Sequence, residues 1–186
     1  MTVRRELVGG VEHRPIVIVD YSANWPTRFA REQRRIRAAL AATAVRVDHV
    51  GSTAVAGLAA KSIVDVQVSV PGVDAEQHYA GPLVAAGYVL RVRELGHRMF
   101  RTPDLAVHVH VCTAGSGWER RHLLFRDWLR RNATDRAAYE TLKRSLAARD
   151  WPDMNAYADA KSALITEITH RAQEWAHTTG WMPDAH

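Results

Sequence analysis

The cleanest pattern along the chain lies at 62–70, SIVDVQVSV, where valine alternates with polar residues until Pro71-Gly72 stops the run. A period of two over that length predicts a β-strand, with Val64, Val66 and Val68 on one face and Asp65 and Gln67 on the other. The same signature predicts strands at 45–50 (VRVDHV), 88–94 (YVLRVRE) and 105–111 (LAVHVHV), and a hairpin partner at 98–102 after the turn at Gly96. A β-branched run at 13–21 predicts one more strand. Helical spacing replaces alternation elsewhere. Phe29, Ile36 and Leu40 recur among Arg and Glu, so a helix is expected from an N-cap at Asn24 to about Ala42, with Pro26 in its first turn. A second is expected at 74–86. After Gly115-Ser116-Gly117 the texture is helical throughout, with helices expected at about 118–131, 134–149 and 154–177. The pattern predicts an α/β (α+β) fold with a mixed sheet at about 13–114 and a helical part, about 118–177, packed on it. With 186 residues, that is one domain spanning 1–186.

Composition narrows the class. Hydrophobic residues are 47% and charged residues 24%, enough for a core and too apolar for disorder. No apolar run reaches the roughly 20 residues that cross a bilayer, and the arginines at the N-terminus lack the apolar stretch of a secretory signal. Cys112 is the single cysteine, so no internal disulfide forms. These features predict a soluble, cytoplasmic protein without a membrane partner. Basic residues outnumber acidic ones by 25 to 20, yet only Lys61, Lys143 and Lys161 are lysines. Residues 115–149 hold nine basic groups against four acids, which suggests an anionic partner.

Three groups of residues carry candidate chemistry. His49, Gly51, Ser52 and Thr53 close the strand at 45–50, and a Gly-Ser turn offers N–H groups and a hydroxyl to phosphate oxygens. Asp65 and Gln67 project together from the next strand, where a carboxylate suits a divalent cation bridging those phosphates. His108 and His110, at i and i+2, face one side of their strand; Asp65 completes a metal site with them if the two strands are neighbours. On the helix at 118–131, Leu124, Phe125, Trp128 and Leu129 form the buried side. His122, Arg126 and Arg130 make an adjoining stripe whose guanidinium forks suit phosphate, and Asp127 is expected to pair with Arg131. Lys143 and Lys161 sit on later helices, where lysines are ordinarily at the surface.

The segment HVGSTAVAGLAAKSIVDVQVSV, the later HVHV, LLFRDWLRRN, and the pairs Tyr139-x3-Lys143 and Tyr157-x3-Lys161, in that order, resemble the GrpB family over roughly residues 15–175. The resemblance implies a nucleotidyltransferase-superfamily fold, a small mixed sheet flanked by helices. It also implies phosphate at Gly51 and Ser52, and metal at Asp65, the first carboxylate of an Asp-x-Asp/Glu pair. Gln67 stands at the second carboxylate position, a departure from a two-magnesium centre. One carboxylate with two imidazoles is a softer site, closer to Zn²⁺, Mn²⁺ or Ni²⁺.

Three functions are compatible with these residues. The first is a nucleotidyltransferase-like enzyme on a nucleotide or other phosphorylated small molecule, with a divalent ion (Mg²⁺ or Mn²⁺, or Zn²⁺ or Ni²⁺). Its catalytic group would be His49, Asp65 and Gln67. Phosphate would be held by Gly51, Ser52, Thr53, Lys61, His122, Arg126, Arg130, Lys143 and Lys161, and metal by Asp65, His108 and His110. The second is a nucleotide- or CoA-binding module with a degenerate active site. The third is transition-metal-dependent group transfer or hydrolysis at the Asp/His/His cluster. A nucleic-acid partner is not expected, because the strands lack a basic-aromatic stacking platform.

Overall fold

A computed structural model describes residues 6–10 and 15–184. Six strands form one mixed sheet in the order β1-β4-β5-β6-β3-β2. They are β1 (Glu6–Leu7), β2 (Arg46–Val50), β3 (Val64–Val70), β4 (Val89–Glu94), β5 (His97–Arg101) and β6 (Val107–Thr113). All pairings are antiparallel except β3 with β6, the parallel pair at the heart of the sheet. The helices are α1 (Asn24–Leu40), α2 (Ala80–Ala85), α3 (Gly117–Arg131), α4 (Ala133–Ala147), α5 (Met154–Asp159) and α6 (Ser162–Thr179).

The valine alternation does what its period requires. Val64, Val66, Val68 and Val70 of β3 and Val107, Val109 and Val111 of β6 are all buried, sealed by Trp25, Ile36 and Leu40 of α1 and Leu83 of α2. The opposite face carries Asp65, Gln67, His108 and His110. On that side, Ile168 of α6 joins Leu129 of α3 and Tyr139 of α4 in one apolar cluster, and Ala172 and Ala176 pack against Leu124 in another. Asp135 ties three helices together, accepting from Trp128 Nε1 at 2.7 Å and from both ends of the Arg171 guanidinium at 3.0 and 2.8 Å. Ser116 caps α3 by accepting from the Glu119 N–H, while Glu119 Oε1 accepts from the Gly115 N–H at 3.1 Å.

Several boundaries differ from the sequence expectation. Residues 13 and 14 of the first expected strand lie outside the described residues, and 15–21 form no strand. Only Val19 pairs, in a two-way bridge to Ala60, because Pro15 and the polar residues after Val19 limit the ladder. At the start of α1 the cap is Ala23, and Ser22 Oγ accepts from the Asn24 N–H; Pro26 sits in the first turn, where no N–H partner is needed. The expected helix at 74–86 is a short turn at Glu76–His78 followed by α2 alone, since Gly81 and Pro82 shorten it. The expected helix at 154–177 is two helices. The chain bends at Ala160 and Lys161, so that α6 runs back over α3.

Candidate functional site

The parallel register of β3 and β6 sets Asp65 beside His108 and Gln67 beside His110. On the polar face, Asp65 Oδ1 lies 3.1 Å from His110 Nε2 and 3.4 Å from His108 Nδ1. One donor atom from each of the three residues lies within 4.8 Å of the other two, the spacing of a metal-ligand set. Burial raises the Asp65 carboxyl, but the contacts with His108 and His110 outweigh it and hold the group well below the usual carboxylate range. Asp65 is therefore an anion. It also explains Gly51: the residue has φ +68°, and a Cβ there would lie 2.5 Å from Asp65 Oδ2.

Behind the triad runs a row of groups of which the sequence reading had singled out only His122, and that as a phosphate ligand. Glu94 Oε1 is 2.7 Å from His97 Nδ1, and His97 Nε2 is 3.0 Å from His110 Nδ1. Trp118 stacks on His97 at 4.5 Å between ring centroids, and His122 stacks on the far side of Trp118 at 3.7 Å. At the acidic end the order is fixed, because a carboxylate only accepts: His97 Nδ1–H donates to Glu94. At the other end His110 Nε2 meets Asp65 Oδ1, a contact that helps hold Asp65 ionised and that a metal ion would replace on binding. The signal in the sequence was slight: a histidine opening a hairpin strand three residues after a glutamate.

In front of the triad is a cleft of about 190 Å³. One wall is Gly51, Ser52 and Thr53 with Asp65 and His108; the other holds all three lysines of the chain. Lys161 Nζ and Lys61 Nζ sit over the ring of Tyr157 at 4.3 and 5.4 Å, and Lys143 Nζ over that of Tyr139 at 4.7 Å. Lys143, only 3% exposed, donates to Ser52 Oγ at 3.1 Å and to the Ala59 carbonyl. Burial, then the neighbouring Lys161, brings Lys143 down to about 7. Burial, then Lys61, brings Lys161 down to about 8. Two buried polar atoms of cleft residues, the Tyr157 hydroxyl and His108 Nε2, have no hydrogen-bond partner among the described residues.

The surface position expected for Lys143 and Lys161 on helices is thus corrected: α4 turns Lys143 inward, and Lys161 enters the cleft from the break between α5 and α6. Other candidates lie away from the cleft. His49 pairs with Val66, so its side chain is on the valine face, stacked on Phe29 at 4.8 Å and 3.0 Å from Thr53 Oγ1. It touches neither Ser52 nor the triad, and burial lowers it to about 4. Gln67 is fully buried, and neither polar atom of its amide has a partner among the described residues. His122 supports Trp118: its Nδ1–H donates to the Trp118 carbonyl at 2.8 Å, and burial lowers the ring to about 4. Arg126 donates to the His49 carbonyl at 3.1 Å and to Asp127 at 2.7 Å, and Arg130 donates to the Ala54 carbonyl at 3.0 Å. These two arginines brace α3 against the Gly-Ser turn and line a separate depression. Asp127 pairs with Arg126 and Arg130 instead of Arg131.

A family model described as GrpB protein matches residues 15–171. The chain belongs to the GrpB family. It is 52% identical over 167 residues to a UPF0157 protein of Streptomyces coelicolor, covering 90% of this chain and 89% of that one. The crystal structure of the conserved protein GrpB from Enterococcus faecalis superposes with a TM-score of 0.75 at 29% identity, covering 86% of this chain and 99% of that one. A dephospho-CoA kinase of Mycolicibacterium paratuberculosis is 32% identical in a gapped alignment 202 positions long that covers 93% of this chain and 50% of the kinase. The six-stranded mixed sheet with flanking helices is the fold expected of GrpB proteins. Among the described residues no helix is long and apolar enough to cross a membrane.

Proposed function

We propose that this GrpB protein binds a phosphorylated small molecule, nucleotides included, and performs metal-assisted transfer at phosphorus in the cleft between the Gly-Ser turn and the lysine wall. One observation carries the reading. Three lysines line the same cleft of about 190 Å³ as Asp65 and His108, two members of the Asp/His/His set, so anion and cation sites adjoin. Packing Lys61, Lys143 and Lys161 together is unfavourable unless a multiply charged anion neutralises them. A phosphate group brought next to Asp65 in turn needs a cation between the two.

The residues present fit a single divalent ion. Asp65 is anionic, His110 Nε2 lies 3.1 Å from its Oδ1, and His108 Nε2 is buried without a partner among the described residues. That donor set suits Mn²⁺, Zn²⁺ or Ni²⁺ better than a pair of Mg²⁺ ions, and buried Gln67 supplies no second carboxylate. When bound, the ion would offset charge on phosphoryl oxygens. The chain's own residues do the rest. Lys61, Lys143 and Lys161 hold and orient the phosphate, Ser52 Oγ stands at its edge, and Tyr139 and Tyr157 shield the lysines from water. The relationship to proteins named dephospho-CoA kinase supports a nucleotide-like ligand, and such ligands fit a cytoplasmic location.

Calorimetric titration of untagged protein with Mn²⁺ or Zn²⁺, alone and with AMP, ATP or pyrophosphate, tests this reading. One ion per chain, lost in Asp65→Ala, and phosphate binding lost in Lys161→Met are expected. Phosphate release from a panel of phosphate esters then separates enzyme from binding module. The neutral Gln67 is the observation favouring the second, so binding without turnover selects it. No binding of either ligand overturns both.

A further inference from the structure

Ser52 makes a contact that a phosphate-cradling hydroxyl does not require. Its Oγ lies 3.1 Å from Lys143 Nζ, and Ser52, Lys143 and Tyr139 line the same cleft. Lys143 is held in turn by the Ala59 carbonyl, and Tyr139 occupies the helical turn before it on α4. A nucleophile, a base within hydrogen-bond reach of it and a third group fixing the base form the arrangement used in covalent catalysis. Serine–lysine pairs are one of its recurring variants. The position is suited to it as well. Ser52 opens the turn after Gly51 at the mouth of the phosphate cleft, on the same wall as Asp65.

We propose that Ser52 is a covalent nucleophile toward phosphorus and that Lys143 is its general base. This rests on the reading of the cleft as a phosphate-ester site. In the first step Ser52 Oγ bonds to phosphorus and the bond from phosphorus to the leaving-group oxygen breaks. The hydroxyl proton passes to Lys143 Nζ and from there to the leaving oxygen. In the second step water, or an alcohol acceptor, attacks phosphorus and gives its proton to Lys143. The phosphorus–Oγ bond breaks, and Ser52 recovers its proton from the ammonium. Serine and lysine end as they began, and no oxidant or reductant is involved.

Burial is what makes the base available. The groups facing Lys143 are Lys161 and Lys61 across the cleft, Glu140 and Arg144 on its own helix, and the ring of Tyr139. Burial is the largest effect, and the cations reinforce it against Glu140. A lysine lowered to about 7 is neutral in part near neutral pH.

A fluorophosphonate probe tests the step without knowledge of the natural substrate, since attack by a serine displaces fluoride and leaves a stable phosphonyl ester. One adduct per chain, mapped to Ser52 by peptide mass spectrometry, is expected, with a labelling rate that rises through about pH 7 and then levels. Ser52→Ala should give none. Lys143→Arg keeps the charge and donors but cannot act as a base, so it should label at least about 100-fold more slowly. Circular dichroism verifies that each variant is folded, and Ser52→Thr provides a second, conservative variant that should label slowly. Labelling by Lys143→Arg at the wild-type rate overturns the role of Lys143. Absence of labelling at Ser52 in protein that binds metal and pyrophosphate overturns the nucleophile while leaving the phosphate site intact. Loss of those two binding events instead marks failure of the site itself.

Discussion

On β3, Val64, Val66, Val68 and Val70 lie under α1, while Asp65 and Gln67 on the same strand face α3 and its neighbours. The valine face has one main requirement, exclusion of water, and the valines of β3 and β6 all meet it in the same way. The polar face joins a carboxylate, a row of imidazoles and three lysines, each of which would be more stable in water. One side of the sheet holds the fold together, and the other spends part of that stability on a binding site. The contrast follows the usual relation between stability and function, in which active-site groups are retained at a cost to the folded state.

The largest effect tests the valine face. Phe100 is fully buried there, edge-on to Tyr79 at 6.3 Å. Phe100→Ala should cost about 3–5 kcal/mol in chemical denaturation, the range for removing a core aromatic ring. A cost below about 1 kcal/mol would mean that this face is not the source of stability.

On the polar face the sign should reverse. Lys143 titrates at about 7 in the folded chain against an ordinary 10.5, so below pH 7 folding carries the full cost of burying the ammonium. That cost is on the order of 4–5 kcal/mol. The two hydrogen bonds lost on substitution offset roughly 1–2 kcal/mol of it. Lys143→Met should therefore be about 3 kcal/mol more stable than wild type at pH 6, without added anion. Between about 7 and 10.5 the unfolded chain binds the proton and the folded chain does not, so wild-type stability rises with pH and the gap closes. Denaturation of both proteins at pH 6 and pH 10 checks the sign. Pyrophosphate should stabilise wild type and leave Lys143→Met unaffected.

How far each face was legible in the sequence follows the same division. Val64, Val66 and Val68 announced their face because one property repeated every second residue. Asp65, His108 and His110 were visible as residue types, but their meeting depends on the parallel register of β3 and β6, across 42 residues between Asp65 and His108 that include a hairpin. The lysines gave no periodic signal at all. Lys143 reaches the cleft through the packing of α4 and Lys161 through the bend between α5 and α6, whereas a lone lysine in a helical stretch is ordinarily exposed. His49 was misplaced for a related reason: it adjoins the Gly-Ser turn in sequence, but the one-residue offset from Asp48 puts it through the sheet. Arg126 and Arg130 had the chemistry for phosphate, and local carbonyls at the turn claimed it instead.

A smaller effect tests the row behind the triad. His97 touches His110 and Glu94 and does not line the cleft. If it orients His110, His97→Ala should weaken Mn²⁺ or Zn²⁺ binding by about 10–100-fold, as loss of a group supporting a metal ligand does. Unchanged affinity in a calorimetric titration would remove His97 and Glu94 from the site.

The smallest effect decides what the position of Gln67 is for. The residue shares its face with Asp65, yet its side chain is fully buried and its amide has no partner among the described residues. If Gln67 belongs to the binding machinery, Gln67→Met should impair metal binding much as loss of a ligand would. If it is filler under α3, methionine of similar volume removes two buried polar atoms and should stabilise the chain by about 1 kcal/mol. Its geometry supports filler: the triad takes its second and third donors from β6, and nothing at Gln67 faces the cleft. The expected outcome is a small gain in denaturation midpoint with metal affinity within about twofold of wild type. A tenfold loss of affinity would move the boundary between stability and function one residue pair deeper into the sheet.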